Sequence, residues 1–324
     1  MSKILITGSN GFLGARILEA MLEEGHEITA TARQSHSKYS GQGFRFISTD
    51  LTLPECIEKL TGTYDYIIHC AAKSSPWGTY DSFYEANVRA SAHILAIAEK
   101  SVSSKIILIS TPSIYFEFRD KWDIKEDDPL PEPMINHYAT TKYMAECALL
   151  ASSVPVIALR PRALIGRGDT IIMPRVLNAY HQGKLKVIGD GKNIVDLTPV
   201  ANVVKAVTDA MNAPETAWNQ AYNITSGHPV NLWGCITEML HALDLPFKAR
   251  KVPYFLADFV ARMNEKIGVL SGKEPALLRY SVGILYFNMT MDISKARKLL
   301  HFEPVQTVEE GMKEFLAWWK NKEL

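Results

Sequence analysis

Short apolar runs alternate with helical patterns through the first half of the chain. Residues 3–7 read as a strand, and Ile17, Leu18, Met21 and Leu22 repeat at helical spacing within residues 14–24. Residues 27–32, 44–49 and 64–71 read as further strands, the last centred on Ile67 and Ile68. Residues 83–99 have the spacing of a helix, 105–110 of a strand, 138–151 of a helix and 155–159 of a strand. This alternation predicts right-handed βαβ units around a parallel sheet. Strands buried on both faces account for runs that are apolar without alternating.

Beyond residue 160 the rhythm loosens. Residues 171–182 and 200–211 read as helices, and 186–188 as a strand ending in Gly189-Asp190-Gly191. Residues 253–286 are apolar and helix-rich, interrupted by Gly268, Gly272 and Pro275. A last helix at 308–320 carries Trp318 and Trp319. The expected architecture is α/β: a doubly wound Rossmann sheet over residues 1–162, with returning segments near 195–225, and a smaller, mostly helical domain over 163–324 that binds substrate. No repeat or low-complexity linker separates the two.

The loop after the first strand carries the first chemistry. Gly8-Ser9-Asn10-Gly11-Phe12-Leu13-Gly14 joins a strand to a helix. Gly8 permits the tight turn, Gly11 lets the backbone approach a pyrophosphate, and Gly14 lets helix and strand pack closely. The helix N-terminus offers free N–H groups to phosphate. Gly8, Asn10, Gly11, Phe12, Leu13 and Gly14 are therefore assigned to a dinucleotide. At the end of the second strand Ala32 stands where an acidic residue would hold the ribose of NAD, and Arg33 follows. That favours NADP, with NAD possible and Lys38 as a second cation. Asp50 and Leu51, after the third strand, are placed at the adenine.

A second constellation is Tyr138 and Lys142, one helical turn apart on one face. A phenol with a pKa of ~10 is a poor acid or base at neutral pH. A neighbouring ammonium favours the phenolate and lowers that pKa. With 13 tyrosines, roughly one such pair arises by chance, and Tyr180 with Lys184 is another. Context favours Tyr138, because the strand at 105–110 runs into Thr111-Pro112-Ser113 just before it. Hydroxyls at a strand's C-terminal end lie where open α/β sheets bind ligands.

Together these features resemble the extended short-chain dehydrogenases/reductases, the NAD-dependent epimerase/dehydratase superfamily. The glycine loop, Asn87 opening a long helix, Ser110-Thr111 and Tyr138/Lys142 fall in the family's order. Leu159-Arg160-Pro161, Gly189-Asp190-Gly191, Tyr222-Asn223 and Asp292-Ile293-Ser294-Lys295-Ala296 match as well. By that resemblance Thr111 holds the substrate oxygen, with Ser113 as the alternative. Tyr138 is the acid/base, and Lys142 lowers its pKa and binds ribose. Ala71 and Ala72 line the cofactor, Pro161 flanks the nicotinamide, and Asn87 supports the site or caps its helix. A homodimer through the helices at 83–99 and 138–151 is the family habit.

Pro112 and Ser113 stand where the family's dehydratases carry an acidic pair, and Phe116 replaces a glycine common in its epimerases. Thr111-Pro112-Ser113 and residues 274–280 resemble the 3β-hydroxysteroid dehydrogenase-like branch. That branch implies hydride transfer at a carbonyl or secondary alcohol on an apolar or steroid-like substrate. Residues 254–286 would wall such a pocket or serve as core, and Trp77 would stack on substrate or pin its loop. Arg162 and Arg167 suit a carboxylate or diphosphate, so a sugar-nucleotide epimerase with the same Thr-Tyr-Lys set remains open. A non-catalytic dinucleotide sensor is the other alternative.

Charge and cysteine content narrow the classes further. Lys plus Arg and Asp plus Glu both number 35, which argues against a basic nucleic-acid binder. Four scattered cysteines without Cys-x-x-Cys signal neither zinc nor a redox dithiol, and no metal is expected. The apolar run at residues 4–6 is too short for a signal core, and no run reaches the ~18 residues of a membrane span. The expectation is a cytoplasmic enzyme acting on a small molecule.

Overall fold

A computed structural model describes residues 1–34, 41, 43–101 and 103–322. Its centre is a seven-stranded sheet of β1 (Lys3–Thr7), β2 (Glu27–Ala32), β3 (Phe44–Ser48), β4 (Tyr66–His69), β5 (Lys105–Ile109), β6 (Val156–Pro161) and β7 (Gln220–Ile224). The strand order is β7-β6-β5-β4-β1-β2-β3, and every pairing is parallel. The order reverses between β1 and β4, which opens a crevice at the carboxyl ends of those strands.

Helices bury the sheet on both sides. On one face α1 (Phe12–Glu23) turns Leu13, Ile17, Leu18 and Met21 inward beside Val203, Ala206 and Val207 of a later helix, Val200–Met211. On the other, α2 (Ala90–Lys100) packs Ile94 and Ile97 onto Ile67, Ile106 and Val156. The helix α3 (His137–Leu150) lies beside it. A second core gathers Trp233, Ile236, Met239, Ala257, Ala261 and Phe315 from the C-terminal half.

Several boundaries differ from the sequence pattern. α1 starts at Phe12, because Gly11 already takes the extended cap conformation. The helix expected from residue 83 begins after a Thr79 cap and passes through a π-helical turn at Tyr84–Arg89 before α2. Asn87 is therefore interior to that turn and neither opens nor caps a helix. A four-stranded sheet built from Lys121–Ile124, Ile194–Val195, Val230–Asn231 and Met289–Met291 went unread, because its strands are short and distant in sequence. Residues 253–286 resolve into two helices, Tyr254–Ser271 and Arg279–Ile284.

Candidate active site

The glycine loop closes over the end of β4. Gly8 has φ +65°, and a Cβ there would stand 2.8 Å from the Ala71 amide nitrogen. At Gly14 a Cβ would meet the Gly8 carbonyl oxygen at 2.2 Å. Both positions thus require glycine, one for backbone conformation and one for close packing. Phe12, Leu13 and Gly14 form the first turn of α1, whose N–H groups have no carbonyl one turn earlier. The loop is a cradle that backbone alone can line, and it fits a pyrophosphate. Asn10 donates its side-chain amide to the Gln34 carbonyl at 2.6 Å, which ties the loop to the end of β2.

A fully satisfied hydrogen-bond chain supports this cradle from below. The Ala71 N–H donates to the Thr7 hydroxyl at 3.1 Å, and Thr7 lies 2.7 Å from His69 Nδ1. His69 Nε2 lies 3.0 Å from the Ser91 hydroxyl, which donates to the Asn87 carbonyl at 2.6 Å. Burial pulls the His69 pKa down to about 3, with the Lys142 charge adding to the effect. The neutral imidazole, accepting at Nδ1 and donating at Nε2, completes every bond in the chain.

Around this cradle the expected cofactor residues line one rim. Arg33 is exposed at the end of β2. Lys38 lies outside the described residues. Asp50 accepts from both the backbone N–H and the hydroxyl of Thr52 through Oδ1, at 2.9 and 2.8 Å. That backbone bond holds its pKa below the ordinary carboxylate value against partial burial, and Arg33 adds to the effect. Its Oδ2 is left without a hydrogen bond among the described residues. Leu51 is buried, and its carbonyl lies 2.8 Å from His93 Nδ1. Ala71 and Ala72 follow β4, and Pro161 ends β6.

The side chains expected to do chemistry converge at the C-terminal ends of β5 and β6. The Asn136 carboxamide caps α3 by accepting from the Ala139 N–H at 2.9 Å. This fixes Tyr138 in the first turn and Lys142 one turn on. Thr111 is close enough to the Tyr138 phenol to draw its pKa down. Thr111 donates onward to Ser113 at 3.1 Å, and Ser113 shares a 2.9 Å bond with the Tyr280 hydroxyl. Thr111 and Ser113, read as alternatives, are thus successive members of one chain. Burial pushes the Tyr138 pKa up to about 12, partly offset by Thr111. The Lys142 ammonium is buried and donates to the Ile109 carbonyl at 2.6 Å. Burial lowers its pKa to about 8 against the pull of Glu146. Asn87 accepts from the Lys73 N–H at 2.8 Å and donates to Thr141 on α3 at 3.0 Å. Its carboxamide is spent on bracing the Tyr138 helix.

Tyr180 and Lys184 lie elsewhere. The Tyr180 hydroxyl donates to the Pro246 carbonyl at 3.0 Å, and Lys184 bonds Gln182. Trp77 and Arg279 border an apolar cavity of about 700 Å³ whose other wall is Phe259, Met263, Val269 and Leu270. Of its lining residues, Arg279 is the neighbour in sequence of Tyr280. Sequence reasoning missed Tyr280 itself, which is 167 residues from Ser113. Among the described residues no helix is long and apolar enough to cross a membrane, and no cluster of three His, Cys, Asp or Glu side chains is placed for a metal.

Comparison with known proteins agrees with this geometry. The profile of the NAD dependent epimerase/dehydratase family matches residues 4–225. The 2-alkyl-3-oxoalkanoate reductase of Shewanella oneidensis is 29% identical over 98% of this chain and 86% of its own. The decarboxylating sterol-4-alpha-carboxylate 3-dehydrogenase of Mus musculus is 25% identical, covering 96% of this chain and 89% of its own. The UDP-glucuronic acid 4-epimerase of Bacillus cereus, solved with NAD, shares the fold with a TM-score of 0.77. That likeness spans 98% of this chain and 99% of the epimerase at 19% identity. The chain belongs to the NAD dependent epimerase/dehydratase family and is an NAD(P)-dependent enzyme of the extended short-chain dehydrogenase/reductase type.

Proposed function

We propose that this chain is an oxidoreductase that moves a hydride between NADP and a carbonyl or secondary alcohol on an apolar substrate. The observation that carries this reading is the hydroxyl chain Thr111–Ser113–Tyr280 beside Tyr138, with Lys142 one turn further along the same helix. When bound, the nicotinamide supplies or accepts the hydride. Tyr138 keeps its phenolic proton at neutral pH, so the free protein presents an acid to a carbonyl oxygen. Thr111 offers that oxygen a second hydroxyl. Lys142 places a cation behind the pair, within reach of a ribose.

An apolar surface is available to such a substrate where Trp77, Phe259 and Met263 line one cavity. The reductase is named for a 3-oxo acid and the dehydrogenase for a sterol carboxylate, each an oxygen-bearing carbon on a hydrocarbon skeleton. Of Arg162 and Arg167, the two residues that favoured a sugar diphosphate, Arg167 pairs with Glu19 at 2.6 Å and Glu314 at 3.5 Å. Those pairs take up the charge a diphosphate would need.

The NADP preference rests on Arg33. A charged hydrogen bond to the 2′-phosphate contributes about 1.5–3 kcal/mol. Arg33→Ser should therefore weaken NADPH roughly 10- to 100-fold while leaving NADH affinity little changed. Fluorescence titration with both cofactors measures this, and tighter NADH than NADPH in the unaltered protein would reverse the assignment.

The reading includes a homodimer through the surface where Tyr80 and Met144 are exposed side by side. Light scattering should give a mass near twice 36.2 kDa. A monomer mass would remove this part.

A further inference from the structure

Of the arginines around the cleft, Arg162 stands apart. Arg160 is saturated by Glu146 and Tyr115, Arg167 by Glu19 and Glu314, and Arg279 by Asp258 at 2.8 Å. Arg162 is 8% exposed, and its Nε is buried without a hydrogen-bond partner. Its terminal nitrogens donate to no described side chain or carbonyl either, but they touch accessible space. The backbone is pinned, with the Arg162 N–H donating to the Ile224 carbonyl at 3.2 Å and its own carbonyl accepting from the Thr198 hydroxyl.

Tyr280 and Asp196 are the groups whose charge acts on the guanidinium, and Asp196 Oδ1 is itself buried without a hydrogen-bond partner. Tyr280 closes the hydroxyl chain from Thr111 and also acts on Tyr138. Asp196 accepts from the Met291 N–H at 2.8 Å through Oδ2 and makes no hydrogen bond to Arg162. A guanidinium taken out of water without a paired fork costs several kcal/mol unless something completes it. A carboxylate matches that fork with two parallel bonds.

We propose that Arg162 is the anion anchor of the substrate pocket, and that the substrate carries a carboxylate close to the carbon whose oxygen meets Thr111 and Tyr138. This deepens the oxidoreductase reading above and rests on it. The hydrocarbon part of the substrate lies along Trp77 and the apolar cavity, and the carboxylate end turns inward past Tyr280. Arg162 is in this role a specificity residue: it fixes which end of the substrate enters and takes no part in the proton transfer.

The test compares 2-methyl-3-hydroxydecanoate with its methyl ester as substrates, using NADP as oxidant. The unaltered enzyme should prefer the acid. Arg162→Gln should lower the acid-to-ester ratio of kcat/KM by about 100-fold, chiefly through KM, because a charged fork contributes about 3 kcal/mol. Arg162→Lys should restore part of the preference. A ratio within about twofold of the unaltered enzyme in Arg162→Gln overturns the proposal, as does an unaltered enzyme that uses ester and acid equally. If Arg162→Gln does not fold, the unaltered enzyme's ratio and Arg162→Lys decide. If neither compound is oxidised, the oxidoreductase reading falls. Calorimetry with 2-methyldecanoate, which has no hydroxyl to oxidise, then judges the anchor alone. Binding lost in Arg162→Gln supports it, and equal Kd values overturn it.

Discussion

Replacing Tyr138 by Phe should reduce turnover by 10²–10⁴-fold while dinucleotide affinity stays within a few-fold of the unaltered protein. The substitution removes one oxygen and keeps the ring, so α3 and its Asn136 cap are untouched. It removes the hydroxyl on α3 that interacts with Thr111. The proposed dinucleotide cradle is the backbone of residues 8–14 and does not include the Tyr138 hydroxyl. Steady-state kinetics and a cofactor titration on the same preparation measure both quantities. Near-normal turnover would remove Tyr138 from the chemistry, and loss of cofactor affinity in parallel with turnover would make its role structural.

The second large effect is on stability. Glu146 on α3 is 1% exposed and Arg160 on β6 is 6% exposed, and they pair through both guanidinium nitrogens facing the carboxylate. Arg160 also donates to the Tyr115 hydroxyl, and Tyr115 donates to Asn223 on β7 at 3.3 Å. The network fastens the Tyr138 helix to two strands of the sheet. Glu146→Ala leaves a buried guanidinium without its counter-charge and should cost about 3–5 kcal/mol. At this chain length that lowers the melting temperature by roughly 4–7 °C. The double variant Glu146→Leu with Arg160→Met removes both charges and should be more stable than Glu146→Ala alone. Denaturant titration of the set checks the sign. A cost under about 1 kcal/mol for Glu146→Ala would show that the pair is solvated and contributes little.

Much of the fold around this candidate site is legible in the sequence, and the reason is locality. The glycine loop, and Tyr138 with Lys142, are each contiguous segments whose chemistry depends on residues within one turn of each other. The central strands β1, β4, β5 and β6 are nearly continuous apolar runs, so their parallel burial shows in the chain itself, whereas the edge strand β7, Gln220–Ile224, carries Gln220 and Asn223 and does not read as one. What stayed hidden depends on distance. The hydroxyl chain needs Tyr280, and the buried ion pair needs Arg160 to meet a helix begun at His137. The two arginines after β6 looked alike as residues, yet folding pairs Arg167 with Glu19 and Glu314 and leaves Arg162 open. Asn87 misled as a helix opener because a π-helical turn leaves no clear periodic mark. Lys142 was expected to act on Tyr138 directly. In the fold its ammonium donates to Ile109, and the groups acting on Tyr138 are Thr111 and Tyr280 together with burial.

The central claim is net hydride transfer at a substrate carbon. The direct measurement uses NADPH deuterated at nicotinamide C4, a hydrophobic ketone and mass spectrometry of the product alcohol. The account predicts one deuterium on the carbinol carbon and one NADPH consumed per alcohol formed. No label transferred and no NADPH consumed would contradict it, and inversion of a secondary-alcohol substrate with no net cofactor consumed would identify an epimerase.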